Sequence, residues 1–328
     1  MLAVTYQRVG PASEVLSVAE IATPSAAAGE VRVKLASSGV NPSDVKSRAG
    51  VRNKTLAFPL IVPHSDGAGV IDQVGDGVDP ARIGERVWVW NAAWQRPLGT
   101  AAQYVALPAQ QAVTLPDAID FAAGACLGIP ALTAYHAVAL GGGVSGKSVL
   151  VTGGAGAVGH YAIQFAKLGG AARVIATVSS DAKGAIALEA GADAFINYRT
   201  EDVGQRCVSL TGGSGVDRII EMDLAANIQS DLAALRSDGD IVVYGSGAPD
   251  IAVPFFASIL KNTRYHFFIV YNLNAADRAS DLAEVSRLLR ENRLKHQIAA
   301  RMPLSEAAEA HQLVESGQAI GNVVLDIS

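Results

Sequence analysis

The run VTGGAGAVGHYAIQFAKLGG, from Val151, sets Gly154, Gly156 and Gly159 in G-x-G-x-x-G spacing. Glycines in this pattern permit a tight strand-to-helix turn. They also let a pyrophosphate approach backbone amides that a Cβ would screen, and they let the helix pack close to the strand. The helix N-terminus then presents partial positive charge to the phosphates. The spacing alone is a weak signal. Here an apolar run, Ser148 to Thr152, precedes it, an apolar-periodic helix follows, and a second strand begins at Arg173. The competing account is a glycine-rich turn with no ligand.

A site selective for NAD usually carries an acid about 20 residues beyond the glycines, where it binds the ribose hydroxyls. This chain reads Thr177-Val178-Ser179-Ser180 there. No carboxylate stands in that stretch to repel a 2'-phosphate. Ser179 and Ser180 can donate hydrogen bonds, Lys183 adds a cation, and Tyr198 ends the next strand where adenine could stack. Together they favour NADPH. Asp181 opposes this reading unless it serves the N-terminus of its helix. The plainer account is an N-cap serine, a solvated lysine and a strand-end tyrosine.

These residues need a scaffold. At 328 residues, 50% of them hydrophobic, the chain is long enough for two domains sharing a cleft. A net charge of -5 offers no polybasic footprint for nucleic acid. The N-terminus, MLAVTYQRVG, shows no signal or transit pattern, so a cytoplasmic location is expected. The longest apolar stretch, Ile119 to Leu140, is broken by Asp120, Pro130 and His136, which makes a poor membrane span; it reads as buried helix. Cys126 and Cys207 lie too far apart in sequence, with no CxxC partner, to suggest a disulfide framework or a zinc lobe.

Short β-like runs fill the first 115 residues: LAVTY, VLSVAEI, EVRVKLASS, GAGVIDQV, RVWVW and TAAQYVALP. They predict a small, mainly antiparallel β domain. From about Ser148 apolar strands alternate with Ala-rich helical stretches: SVLVT, RVIATV, AFIN, DRIIEM, DIVVYG and YHFFIV. This α/β rhythm predicts a doubly wound parallel sheet with its ligand at the switch point. The tail after Val270 abandons the rhythm and is expected to return to the first domain.

Motifs along nearly the whole chain resemble the zeta-crystallin-like quinone oxidoreductases of the medium-chain dehydrogenase/reductase superfamily. They are VNPSDVKSRAG from Val40, PHSDGAGVIDQVGDGV from Pro63, IGERVW, GTAAQYVALP, LGIPALTAYHAV, VTGGAGAVG, GADAFINYR and the terminal PLSEAAEAHQLVESGQAIGNVVL. The resemblance implies a GroES-like mainly-β catalytic domain, residues 1–125 and 271–328, and a Rossmann domain, residues 126–270, with strand order 3-2-1-4-5-6. It implies that Gly154, Ala155, Gly156, Ala157, Val158 and Gly159 wrap the pyrophosphate, while Ser179, Ser180, Lys183 and Tyr198 surround the adenosine phosphate. Asn227 is expected beside the cofactor at the end of the fourth strand. Val243, Tyr244, Gly245 and Ser246 follow at the end of the fifth, and Ile269, Val270 and Tyr271 lie against the carboxamide. Asn41 is expected in the substrate cleft, although Asn41-Pro42 could equally be turn chemistry. Two positions depart from many relatives: Lys46, which replaces a tyrosine and places a cation near the cofactor, and Asn322, which replaces a lysine.

Zinc-dependent relatives carry Gly-His-Glu where this chain has His64-Ser65-Asp66, so serine stands in place of the ligand histidine, and no other histidines have ligand spacing. Without a metal, hydride transfer to conjugated acceptors is more accessible than reduction of a simple ketone. The resemblance therefore implies NADPH-dependent quinone reduction by a metal-independent homodimer, with Trp88, Trp90 and Trp94 either stacking on the quinone or packing the β core. An enone or alkenal double-bond reductase and a non-catalytic NADPH-binding protein are the alternatives.

Overall fold

Val31, Val33 and Leu35 turn inward at alternate positions of the strand Glu30–Val40, as the period of two of an extended chain requires. In the computed structural model, which describes residues 1–51 and 53–327, this strand is the hub of one of two compact units. The first unit is formed by Met1–Pro130 and the chain from Glu284 onward; the second is Ala131–Ala283.

In the first unit the strands are β1 Leu2–Thr5, β2 Ser17–Glu20, β3 Glu30–Val40, β4 Asp66–Val74, β5 Arg86–Val89, β6 Tyr104–Pro108 and β7 Ala112–Thr114. In the second they are β8 Ser148–Val151, β9 Arg173–Val178, β10 Ala194–Asn197, β11 Val216–Glu221, β12 Leu235–Val243 and β13 Arg264–Phe267. The tail adds β14 Ile298–Pro303 and β15 Asn322–Asp326 to the first unit. There a sheet runs β14-β15-β3-β4-β5-β7, with β6 also paired to β3. Its pairings are antiparallel except that of β14 with β15. Val31, Val33, Leu35, Ile71, Val87 and Leu107 fill its interior. The first unit is thus discontinuous in sequence, its sheet completed by the C-terminal strands β14 and β15.

The second unit is a six-stranded sheet, all parallel, in the order β10-β9-β8-β11-β12-β13. This is the 3-2-1-4-5-6 order of the Rossmann fold. Leu150, Ile175, Ile196, Ile219 and Ile241, one from each of five strands, are buried in the core. At the end of the sheet opposite the glycine loop, the fully buried Arg218 donates to Asp240 Oδ2 (3.0 Å) and to the carbonyls of Leu140 and Gly141. This ties the connection after residue 139 to the sheet.

One expectation is corrected. Ile119 to Leu140 is buried but is not a single helix. A short helix, Phe121–Gly124, gives way to a π-helical turn at Leu127–Ala131 and then to the helix Leu132–Ala139. Pro130 has no N–H to donate, so the run cannot continue as regular α-helix. Among the described residues no helix is long and apolar enough to cross a membrane.

Candidate functional site

The chain leaves β8 through Thr152 and turns at Gly153, whose φ of +65° lies in the left-handed region. Gly154 N donates to Thr177 O (2.9 Å) and Gly153 N to Thr177 Oγ1 (3.1 Å), pinning the loop to β9. Gly156 is the N-cap of the helix Ala157–Leu168. The first intrahelical hydrogen bond is His160 N to Gly156 O (3.0 Å), so the amides of Ala157, Val158 and Gly159 precede it, and no acid stands in the first turn. Such a helix start is suited to an anion. A Cβ on Gly159 would lie 2.2 Å from Gly153 O, so helix and loop could not approach this closely with any other residue there. The left-handed residue of the turn is Gly153, one position before the first glycine of the spacing.

Ser179 follows β9 directly, and Ser180 caps the helix Asp181–Glu189 by accepting from Lys183 N (3.4 Å). Lys183 lies in the first turn of that helix. Tyr198 follows β10, is 52% exposed, and donates its amide to Val178 O (3.1 Å). Because β9 and β10 are neighbours in register, Ser179, Ser180, Lys183 and Tyr198 gather at one corner of the sheet. Asp181 accepts from Asn197 Nδ2 (3.3 Å), which directs its charge to the strand end rather than to Ser179.

The residues expected near the nicotinamide from the fifth and sixth strands also lie at the C-terminal ends of parallel strands. Val243 ends β12, followed by Tyr244, Gly245 and Ser246, and Ser246 Oγ closes its own turn on Ala248 O (2.7 Å). Ile269, Val270 and Tyr271 follow β13, with Val270 buried. Asn227 is not at the end of the fourth strand but in the first turn of the next helix, Leu224–Ala234, where its amide donates to Glu221 Oε1 (3.0 Å). Glu221 and Met222 were not singled out from the sequence. Met222 is 46% exposed, and its sulfur stands where a Cβ on Gly153 would go, 2.3 Å from that point. A buried glutamate at a strand end has no periodic signature, so only the fold reveals it.

In the first unit Asn41 is the N-cap of the helix Pro42–Arg48 and is buried. Its N–H donates to Asp44 Oδ2 (2.9 Å) and its Nδ2 to Asp66 Oδ2 (2.7 Å), which also accepts from Ile129 N (3.0 Å). Burial holds the Asp66 carboxyl well above the usual range. Lys46, on the same helix, borders a cavity of about 240 Å³ with Pro42, Val45, Ala49, Val51 and Glu315. Trp88 is fully buried in β5 between Ala68 and Val113, a core residue, while Trp90 and Trp94 are half-buried. Asn322 is buried and donates Nδ2 to Gln297 O (3.0 Å), a structural role.

His64, with φ of +78°, meets His311 across 247 residues of sequence, Nε2 to Nε2 at 2.9 Å. A directed relay fixes both tautomers. Thr100 Oγ1 donates to Asp66 O (2.5 Å), Ser38 donates to Thr100 (2.8 Å), and His64 Nδ1–H therefore donates to Ser38 (2.8 Å). His64 Nε2 must then accept from His311 Nε2–H. Burial pushes His311 down to about 3 and holds His64 well below its ordinary value, so both rings are neutral. Among the described residues no group of three His, Cys, Asp or Glu side chains converges to ligate a metal.

A GroES-like β unit and a six-stranded Rossmann unit in one chain form the architecture of the medium-chain dehydrogenases and reductases. The alcohol dehydrogenase GroES-like domain model matches residues 27–117, and the zinc-binding dehydrogenase model matches residues 157–290. The human quinone oxidoreductase is 30% identical, with 95% of this chain and 94% of that protein covered. A 2-haloacrylate reductase of Burkholderia sp is 31% identical, with 99% and 98% covered. Among solved structures, an NAD-dependent alcohol dehydrogenase superposes with a TM-score of 0.92 at 31% identity, with both chains fully covered. The Escherichia coli quinone oxidoreductase complexed with NADPH superposes with a TM-score of 0.89 at 27% identity, with 99% of this chain and 100% of that one covered. The chain belongs to the quinone oxidoreductase family of that superfamily.

Proposed function

We propose that this protein is an NADPH-dependent oxidoreductase that delivers hydride to a quinone, without a metal. The observation that carries the cofactor reading is the single sheet edge shared by the anion-suited glycine loop and the Ser179, Ser180, Lys183 and Tyr198 corner. The residues fit the group: amides in the first turn of Ala157–Leu168 for the pyrophosphate, and hydroxyls with a lysine but no acid at position 179 for a 2'-phosphate. NADPH, when bound, supplies hydride from C4 of its dihydronicotinamide. The chain's part is positional and electrostatic: strand ends at Val243–Ser246 and Ile269–Tyr271 hold the nicotinamide end, and Asn41 is assigned to the acceptor. Asp66 and the cap of Pro42–Arg48 fix the Asn41 amide in one orientation. Metal independence is supported by the donor set, since Ser65 stands where relatives carry the ligand histidine and no three ligands converge among the described residues. Quinones and enones spread the charge that arrives with the hydride, so they need less polarisation than a simple ketone.

A second reading, reduction of an activated carbon–carbon double bond, is favoured by the 31% identity to a 2-haloacrylate reductase. NADPH oxidation followed against matched quinones, enones, 2-substituted acrylates, aldehydes and ketones separates the two. Quinones should give the highest kcat/KM; highest values for acrylates or enones would favour the second reading.

A further inference from the structure

Behind the glycine loop two acids are buried together. Glu221, at the C-terminal end of β11, is fully buried, and Asp231, on the helix Leu224–Ala234, is 1% exposed. Glu221 Oε1 is occupied: it accepts from the amide N–H of Asp223 and from Asn227 Nδ2. Its other oxygen, Oε2, and Asp231 Oδ2 are buried without a hydrogen-bond donor while both carboxyls are ionised, and the two side chains lie against each other with the Thr152 side chain beside Glu221. Two ionised carboxylates cannot remain there, because each lacks solvent and each repels the other. One proton held between them satisfies both oxygens and leaves a single charge, which Asp223 N–H and Asn227 Nδ2–H already address.

We propose that Glu221 and Asp231 share one proton and act as a positioning pair, holding Asn227 and the end of β11 in the conformation that receives the cofactor. The proposal rests on the assignment of Asn227 to the cofactor site. Asn227 and Asp231 stand one helical turn apart on the same helix, so Glu221 grips that helix at two successive turns. The strand end it terminates continues into Met222, which packs over Gly153 and donates its amide to Thr152 Oγ1 (3.0 Å). A second charge in the pair would push the helix from β11 and loosen both Asn227 and the Met222 cover.

Among the described residues, the cation beside the pair's neighbours is Arg206, which is already paired with Glu201 (2.7 Å). Packed against the pair are Thr152 from the end of β8, Tyr244 from the end of β12, Asp223 at the helix start, and Cys207 from the helix Val203–Leu210, with Arg206 beside Cys207. Burial and Asp231 push the Cys207 thiol up to about 12, and burial raises the Tyr244 hydroxyl further. Neither loses its proton before the pair does. Burial, then the charge of Glu221, holds Asp231 far above the carboxyl range, and Glu221 is also raised, so the pair's proton departs only in alkaline solution.

The test measures the NADPH dissociation constant between pH 7 and pH 10 for the wild type, Asp231→Asn and Glu221→Gln. Asparagine at 231 keeps a donor toward Glu221 and cannot ionise. The wild type should weaken at least tenfold over this interval, while Asp231→Asn should match it within about threefold at pH 7 and change little with pH. Glu221→Gln should bind more weakly at pH 7, because Asn227 loses its charged acceptor, and should also lose the alkaline decline. In the cofactor-free proteins the wild-type melting temperature should fall more steeply over the same interval than that of either variant. A wild type with constant affinity and stability to pH 10, or variants that decline in parallel with it, would overturn the proposal. The wild-type titration at pH 7 checks separately that NADPH binds at all, and the cofactor-free melting curves test the pair even if it does not.

Discussion

A lysine in the first turn of a helix works against the helix dipole, since both are positive there. Lys183 occupies that position beside Ser180, and a cofactor 2'-phosphate is the anion that would make the placement favourable. Lys183→Ala should therefore weaken NADPH by roughly ten- to a hundredfold, the range of about 1.5 to 3 kcal/mol for a hydrogen bond to a charged group, and weaken NADH less than threefold. Ser179→Asp should act more strongly against NADPH and improve NADH, because an acid there repels the phosphate and accepts from ribose hydroxyls. Paired titrations check both, and equal losses for the two cofactors would remove the phosphate site. The buried His64 and His311 give a second test at this scale. His311 falls to about 3 in the fold against an ordinary 6.5, so its contribution is fully present above pH 6.5 and is lost as pH falls toward 3. From pH 7 to pH 5 His311 alone should cost about 2 kcal/mol of unfolding free energy. Urea unfolding of His311→Gln, whose amide can still donate to His64, should show a fall shallower by about that amount. An unchanged slope would mean the ring is not held neutral.

Among the elements, the glycine loop makes a prediction that separates folding from binding. A Cβ on Gly156 would come no nearer than 3.2 Å to Gly153 O, whereas one on Gly159 would lie 2.2 Å from the same oxygen. Gly156→Ala should melt near the wild type yet lose NADPH affinity, because its methyl screens the helix amides; Gly159→Ala should lose both, with stability down by roughly 1–3 kcal/mol. Melting curves beside NADPH titrations distinguish the two cases. The parallel sheet was legible because six apolar runs alternate with helical stretches, and a glycine spacing between two of them marks the turn, whereas its strand order was implied by the family resemblance. The placement of Ser179, Lys183 and Tyr198 at one corner, proposed for the adenosine phosphate, was legible too, since they follow strands whose ends are visible in sequence. The break at Leu127–Ala131 was not. A largely apolar, Ala-rich run has the same periodicity whether it is one helix or three pieces, and the missing N–H of Pro130 is the hint of the difference. Contacts made by topology left no local trace: His64 with His311, and Glu221 with an acid that sits on a helix where acids ordinarily face solvent.

For the whole molecule, β13 ends the order of the parallel sheet, and beside it in sequence the helix Phe255–Leu260 exposes Phe256 (76%) and Leu260 (79%), while Phe267 on the strand is 61% exposed. An open strand edge with apolar neighbours favours pairing with another copy, and we propose a homodimer through this face. Sedimentation at micromolar concentration should give a dimer for the wild type and a monomer for Phe256→Glu combined with Leu260→Glu; a monomeric wild type would contradict the assignment. We propose that the residues gathered here transfer hydride from NADPH to a conjugated acceptor without a metal. The most direct test is quinone-dependent NADPH oxidation by protein treated exhaustively with a chelator, run beside NADP-dependent oxidation of simple alcohols. Quinone reduction should be undiminished and not raised by added zinc, with negligible alcohol oxidation. Loss of quinone turnover that zinc restores, or rapid alcohol oxidation without any quinone turnover, would contradict it.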